Sequence, residues 1–207
     1  MLSRQEITKF IPAALAVWSA LMLTHPVPAQ WIDEHKALKV TAAFLFNFAK
    51  FVTWPDTAFE HDKVPFVIGV LGDDPFGHIL EDSTRTRKIR GRSIEIRRYR
   101  WSPDEDRQAL RSCHLLYISS SEGFRLDEVL AALKKHPVLV VSDIPEFVRA
   151  GGMIGLTVEN QRIVFEINRE SLAKSALIAS ARLLDLARNI DSKKHGDREI
   201  RTTSERP

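Results

Sequence analysis

The chain has 207 residues, is 44% hydrophobic and 28% charged, and sets 30 Lys+Arg against 27 Asp+Glu for a formal net charge of +3. That length suits one domain with a sizeable core, and so mild a charge balance does not indicate a nucleic-acid binder. Cys113 is the only cysteine, so an intramolecular disulfide is excluded and stability must come from packing.

The first thirty residues read as a secretory signal. Arg4 and Lys9 precede an apolar run from Phe10 to Leu23, and Val27 and Ala29 occupy the small-residue positions before Gln30. The run is about 14 residues, short of the roughly 20 needed to span a bilayer. The alternative is an uncleaved anchor or a core helix. Export of residues 30–207 would exclude most ATP-, NAD- and genome-directed roles. No later apolar run is long enough to cross a membrane.

Residues 35–53 are expected to form a helix. Lys36, Lys39, Asn47 and Lys50 make one narrow polar stripe, and Leu38, Val40, Phe44, Leu45, Phe48, Phe51 and Val52 make a mostly buried remainder. Pro55 ends it. Residues 65–72 are a continuous apolar run, as in a strand covered on both faces. A turn through Asp73, Asp74, Pro75 and Gly77 leads to a short helix around 77–83. Residues 93–97 alternate as a strand with one wet face, and 103–111 suggest a charged helical turn. Residues 114–119 and 138–142 are buried strands. Between them Leu126, Val129, Leu130 and Leu133 mark a helix with Lys134 and Lys135 in its last turn and Pro137 as its stop. Residues 153–159 and 162–167 make a β-hairpin around Asn160. Asn168 is placed to cap a final helix over 169–189 with the stripe Leu172, Ala176, Ala179, Leu183 and Leu186. Residues 191–207 are a polar tail without periodicity.

Strands separated by helices imply right-handed crossovers and a parallel sheet, to which the hairpin adds antiparallel strands. The expected fold is α/β: a three-layer sandwich with a mixed sheet of about six strands, mostly parallel, flanked by helices. The domain plan is a signal peptide over 1–29, one domain over 30–190 and a polar tail over 191–207.

Signs of catalysis are poor. There is no zinc-protease histidine pair, no phosphate loop with lysine and no nucleophile elbow. The seven histidines lack ligand spacing, so no metal and no cofactor are expected. Cys113 reads as a small apolar filler beside a buried strand. Ligands of open parallel sheets sit beyond the carboxyl ends of the strands. Asp73, Asp74, Ser119, Ser120, Ser121, Ser142 and Asp143 collect there, a rim suited to a small polar ligand or simply to loop capping. The densest charge cluster runs from Arg85 to Arg100, with only Glu95 opposing it. Arg97 and Arg98 within it are candidates for docking to an acidic protein surface or to anionic headgroups, or are plain solvated charge.

Several motifs together point to a family. Ala42-Ala43-Phe44-Leu45-Phe46-Asn47-Phe48-Ala49-Lys50-Phe51-Val52-Thr53-Trp54-Pro55 resembles the N-terminal signature of the YfiR-like periplasmic proteins. Gly91-Arg92-Ser93-Ile94 is similar to their middle motif. Gly151-Gly152-Met153-Ile154, Arg162 to Asn168 and Leu183 to Ala187 are similar to their C-terminal block. The resemblance spans about residues 36–190. It implies a dimer-forming α/β domain without catalysis that holds down an inner-membrane signalling protein, typically a diguanylate cyclase, through its periplasmic domain. Some relatives carry cysteine pairs, which this chain cannot form.

The hairpin-to-helix corner is the expected partner surface. Glu166 is a carboxylate in a mostly apolar block, Ile178 falls on the wet stripe of the expected last helix, and Leu172 begins the adjoining apolar face. Glu166, Leu172 and Ile178 are therefore expected to form one exposed mixed patch, for the membrane partner or for a second copy. The second reading is a periplasmic small-ligand-binding protein that uses the strand-end rim.

Overall fold

The computed structural model describes residues 34–61, 63–102 and 106–187. The signal expected over 1–29 and the polar tail expected over 191–207 lie outside the described residues. Helix α1 spans Glu34–Phe51. Ala42, Leu45, Phe48 and Ala49 are buried along one side, and Lys36, Lys39, Asn47 and Lys50 face solvent as their spacing demands. The chain leaves the helix directly into a two-residue strand, β1 (Val52–Thr53), before Trp54 and Pro55.

Next come β2 (Phe66–Leu71), α2 (Ile79–Thr84), β3 (Ile94–Tyr99), α3 (Asp106–Arg111) and β4 (Leu115–Ile118). A 3₁₀ turn over Ser120–Arg125 then leads into α4 (Leu126–Leu133) and β5 (Leu139–Ser142). Strands β6 (Ile154–Glu159) and β7 (Arg162–Ile167) form the hairpin. Both residues of its turn, Asn160 and Gln161, have positive φ, the geometry that matches strand twist.

The six strands lie in the order β3-β2-β4-β5-β6-β7, parallel except for the β6–β7 pair. The fold is thus the expected mixed α/β sheet with flanking helices. Crossing from β3 over β2 to β4 reverses the direction of winding, so right-handed crossovers place α2 on one face and α3 and α4 on the other. Helix α1 joins the α2 face, where Phe48 meets Phe165 at 5.0 Å between ring centroids and Phe44 meets it at 5.7 Å.

The expected helix over 169–189 is not continuous. It divides into α5 (Arg169–Lys174), a two-residue strand β8 (Ile178–Ala179) and α6 (Ala181–Leu186). Ala176 takes φ +55, which no α-helix permits, and Leu177 becomes the buried residue in place of Ala176. The cause is tertiary. Strand β1 needs an antiparallel partner, and β8 supplies it through Val52–Ala179 and Thr53–Ile178. Asn168 does cap α5, accepting the Ser171 N–H at 2.9 Å, and Ser180 caps α6 by accepting the Leu183 N–H at 3.3 Å.

Candidate functional site

The exit of α1 is fixed by a dry clasp. Trp54 donates its indole N–H to the His114 carbonyl at 3.0 Å. His114 stacks between the Phe59 ring at 4.5 Å and the Phe66 ring at 4.9 Å. Its Nδ1 accepts the Val67 N–H at 3.0 Å, which leaves Nε2 to donate to the Ala58 carbonyl at 3.1 Å. Both ring nitrogens are therefore used by a neutral imidazole, and burial holds its pKa down to about 4. Arg90 donates to the Trp54 carbonyl at 3.2 Å, and the Arg92 guanidinium lies 4.2 Å from the Phe59 centroid. Scattered histidine spacing gave no hint of this role. Cys113, one residue upstream, is buried as expected, and burial pushes its thiol up to about 11, which makes it inert.

The basic stretch is largely engaged. Arg98 bonds Asp74 Oδ2 at 2.7 Å, Glu81 Oε1 at 2.6 Å and the Gly77 carbonyl, tying the loop after β2 and helix α2 to strand β3. Its guanidinium holds the Glu81 carboxyl below the usual range. Arg97 bonds Glu95 Oε1 at 2.7 Å. Arg97 and Arg98, expected as docking charges, are thus paired with neighbouring carboxylates while their side chains stay about two-fifths exposed. Arg85 pairs with Asp82, and Arg87 lies over the Phe46 ring at 4.7 Å.

The strand-end rim closes on itself. Ser142, fully buried, donates to the Ile118 carbonyl at 2.7 Å and accepts the Ile144 N–H at 3.0 Å. Ser119 is 6% exposed and caps the following 3₁₀ turn. Asp74 accepts the Phe76 N–H at 2.8 Å as well as Arg98, and Ser121 Oγ accepts the Asp73 N–H at 3.0 Å. At the winding reversal between β2 and β4, Gly72 has φ +91 and lies against Ser121 and Glu122 with no space for a Cβ. Glu122 is 8% exposed and pairs with Arg125 at 3.2 Å. Asp74, Ser119 and Ser142 therefore cap loops, the second of the two roles expected for the rim. Asp73, Ser120 and Asp143 remain exposed outside that closed seam.

The expected patch of Glu166, Leu172 and Ile178 is redistributed. Leu172 is 3% exposed and belongs to the core, so its assignment to the patch is corrected. Phe165 faces α1, so Glu166, half-buried and opposite Gly155, points to the other face. Ile178 is 67% exposed, on the β1–β8 ribbon that continues α1. A second large apolar side chain, Leu186 of α6, is 66% exposed. The β8–α6 corner is seated on the end of α1 by the Ser180 N–H to the Phe51 carbonyl at 2.9 Å and by Arg182 over the Phe51 ring at 5.6 Å. The helical stripe in the sequence assigned Leu186 to the core. Only the break at Ala176 shows that it is free to face water.

Among the described residues no group of His, Cys, Asp and Glu could hold a metal ion, and no helix is long and apolar enough to cross a membrane. A family model described as YfiR/HmsC-like matches residues 38–188.

Proposed function

We propose, from the premise that this chain belongs to the YfiR/HmsC-like family, that it is a periplasmic protein that binds and represses an inner-membrane signalling protein, a diguanylate cyclase, through that protein's periplasmic domain. The family implies periplasmic regulation of cyclic di-GMP signalling, and that is the support for the compartment and the pathway. The secretory reading of residues 1–29 agrees with it. Regulation here works by binding, without a cofactor.

The observation that carries the docking surface is the exposure of Ile178 and Leu186 on one short corner. A domain that buries Trp54, Phe48 and Phe66 almost completely leaves these two side chains in water within nine residues of each other in the chain, while the other exposed large apolar residues, Val40, Phe124 and Val158, are scattered along it. Large apolar residues held on a rigid corner are the usual centre of an interface. The edge of β7 beyond its pairing with β6 is next in reach, and a partner that wraps this edge also meets Glu166. The same corner serves a second copy of the chain in a homodimer.

The test is capture from membranes with the tagged full chain, followed by mass spectrometry, together with cyclic di-GMP measurement in cells lacking the protein. The expected result is an inner-membrane cyclase in the captured fraction and a raised cyclic di-GMP level that falls on complementation. Capture of no membrane signalling protein, with an unchanged cyclic di-GMP level, overturns the reading.

A further inference from the structure

A cleft that none of the strand-end rim residues lines lies elsewhere in the molecule. Helices α4 and α5 flank a cleft of about 320 Å³ above β5 and β6. That volume lies within the range of small-molecule sites, roughly 300–1,000 Å³. Its floor is apolar: Leu133, Val140 and Met153 line it, and each is at most 5% exposed. Its rim is cationic, carrying Lys134, Lys135 and Lys174, with Asp127 the one acidic residue in the lining.

The three lysines are not equivalent. Lys174 bonds Glu170 at 2.6 Å. Lys134 and Lys135 form no ion pair among the described residues. The ordinary role for lysines here is to cap the carbonyl end of α4. That role is already filled in part, because Arg111 of α3 donates to the Ala132 carbonyl at 3.0 Å. Lys135 moreover sits at φ +67, where glycine or asparagine is the unstrained choice. A lysine at that turn keeps an ammonium beside the cleft at a conformational cost.

We propose that the cleft between α4 and α5 binds a small amphipathic carboxylate, with the apolar body on Leu133, Val140 and Met153 and the anionic end between Lys134 and Lys135. An inorganic anion would make no use of the apolar lining, and a neutral apolar molecule would gain nothing from the two ammonium groups. The proposal is independent of the partner surface, which lies on the β8–α6 corner.

The experiment titrates the full chain with hexanoate, octanoate and decanoate below their micelle concentrations, and with 1-decanol. Affinity is followed by calorimetry and by the NMR signal of the Met153 methyl group. The expected result is saturable binding that perturbs Met153 and tightens roughly tenfold for every two methylenes added. Decanol binds at least about tenfold more weakly than decanoate, because one charge-assisted contact is lost. The exposed double variant Lys134→Gln with Lys135→Gln removes that difference without changing the melting temperature. Equal affinity for decanoate and decanol overturns the proposal, as does an unchanged decanoate affinity in the double variant. So does absence of binding by every soluble probe; binding to phosphatidylglycerol vesicles in that case would make an anionic surface the ligand instead.

Discussion

The two ends of β1 differ sharply in how they treat apolar residues. On one side Trp54, Phe59, Phe66 and His114 form a clasp in which each polar atom of the aromatic groups has a partner. On the other, the strand β8 that pairs with β1 leaves Ile178 in water, and the helix α6 that follows it leaves Leu186 in water as well. The clasp fixes the ribbon, and the ribbon presents the exposed pair. Rigidity and exposure in adjoining segments are what a binding surface requires, because an ordered side chain loses little further freedom on docking.

The comparison breaks most visibly if the dry side is opened. Phe48 is fully buried against Phe44 and Phe165. Phe48→Ala is expected to cost about 3–5 kcal/mol in denaturant unfolding. Phe44 is half-buried, so Phe44→Ala should cost less. A Phe48→Ala variant as stable as the parent would mean that α1 does not pack on the sheet.

Acid tests the clasp next. The folded pKa of His114, about 4, lies below the ordinary value of 6.5, so its neutral form is the one that folding favours. Its contribution is fully present above pH 6.5 and is lost as pH falls through the window from 6.5 to 4. The loss at the bottom of that window is about 3 kcal/mol. Unfolding measured across this range should show the decline in the parent and a flatter profile in His114→Gln. Equal profiles would remove His114 from the account.

How much of this was legible follows from where the information lay. The spacing of Ala42, Leu45, Phe48 and Ala49 is local, and so α1, the buried strands and the hairpin could be read directly. The division of residues 169–189 was not legible, because Leu172, Ala176, Ala179, Leu183 and Leu186 suit a helix and only pairing with distant Val52 and Thr53 overrides it. The exposure of Leu186 follows from that break, whereas Leu172, ahead of it, keeps the core place that its position on the stripe implies. Ile178 was correctly read as facing water, although on a strand and not on a helix. The rim was ambiguous in the sequence for a different reason. Asp and Ser at strand ends bind ligands and cap loops with the same atoms, and only the hydrogen bonds of Ser142 and Asp74 tell which. The cleft was missed because Lys134 and Lys135 read as dipole partners of one helix, while Lys174 lies on another.

Smaller effects sharpen the picture. Arg98 holds Asp74 and Glu81, but its side chain is 40% exposed. Arg98→Ala should therefore cost only about 1 kcal/mol, and less at high salt. A penalty of several kcal/mol, read from denaturant unfolding, would show that the network is a core element. Glu166→Lys should leave the melting temperature nearly unchanged and weaken partner binding less than a change at Ile178, as a rim charge does. A larger loss at Glu166 than at Ile178, read from the two dissociation constants, would move the centre of the interface to the other face of β7.

The central claim is that the β8–α6 corner is the docking surface. It is tested most directly by the dissociation constant of the double variant Ile178→Asp with Leu186→Asp for the periplasmic domain of the captured membrane protein, with the melting temperature recorded alongside. The account predicts an unchanged melting temperature and binding weakened at least roughly tenfold. Parental affinity in a variant that is equally stable would contradict it.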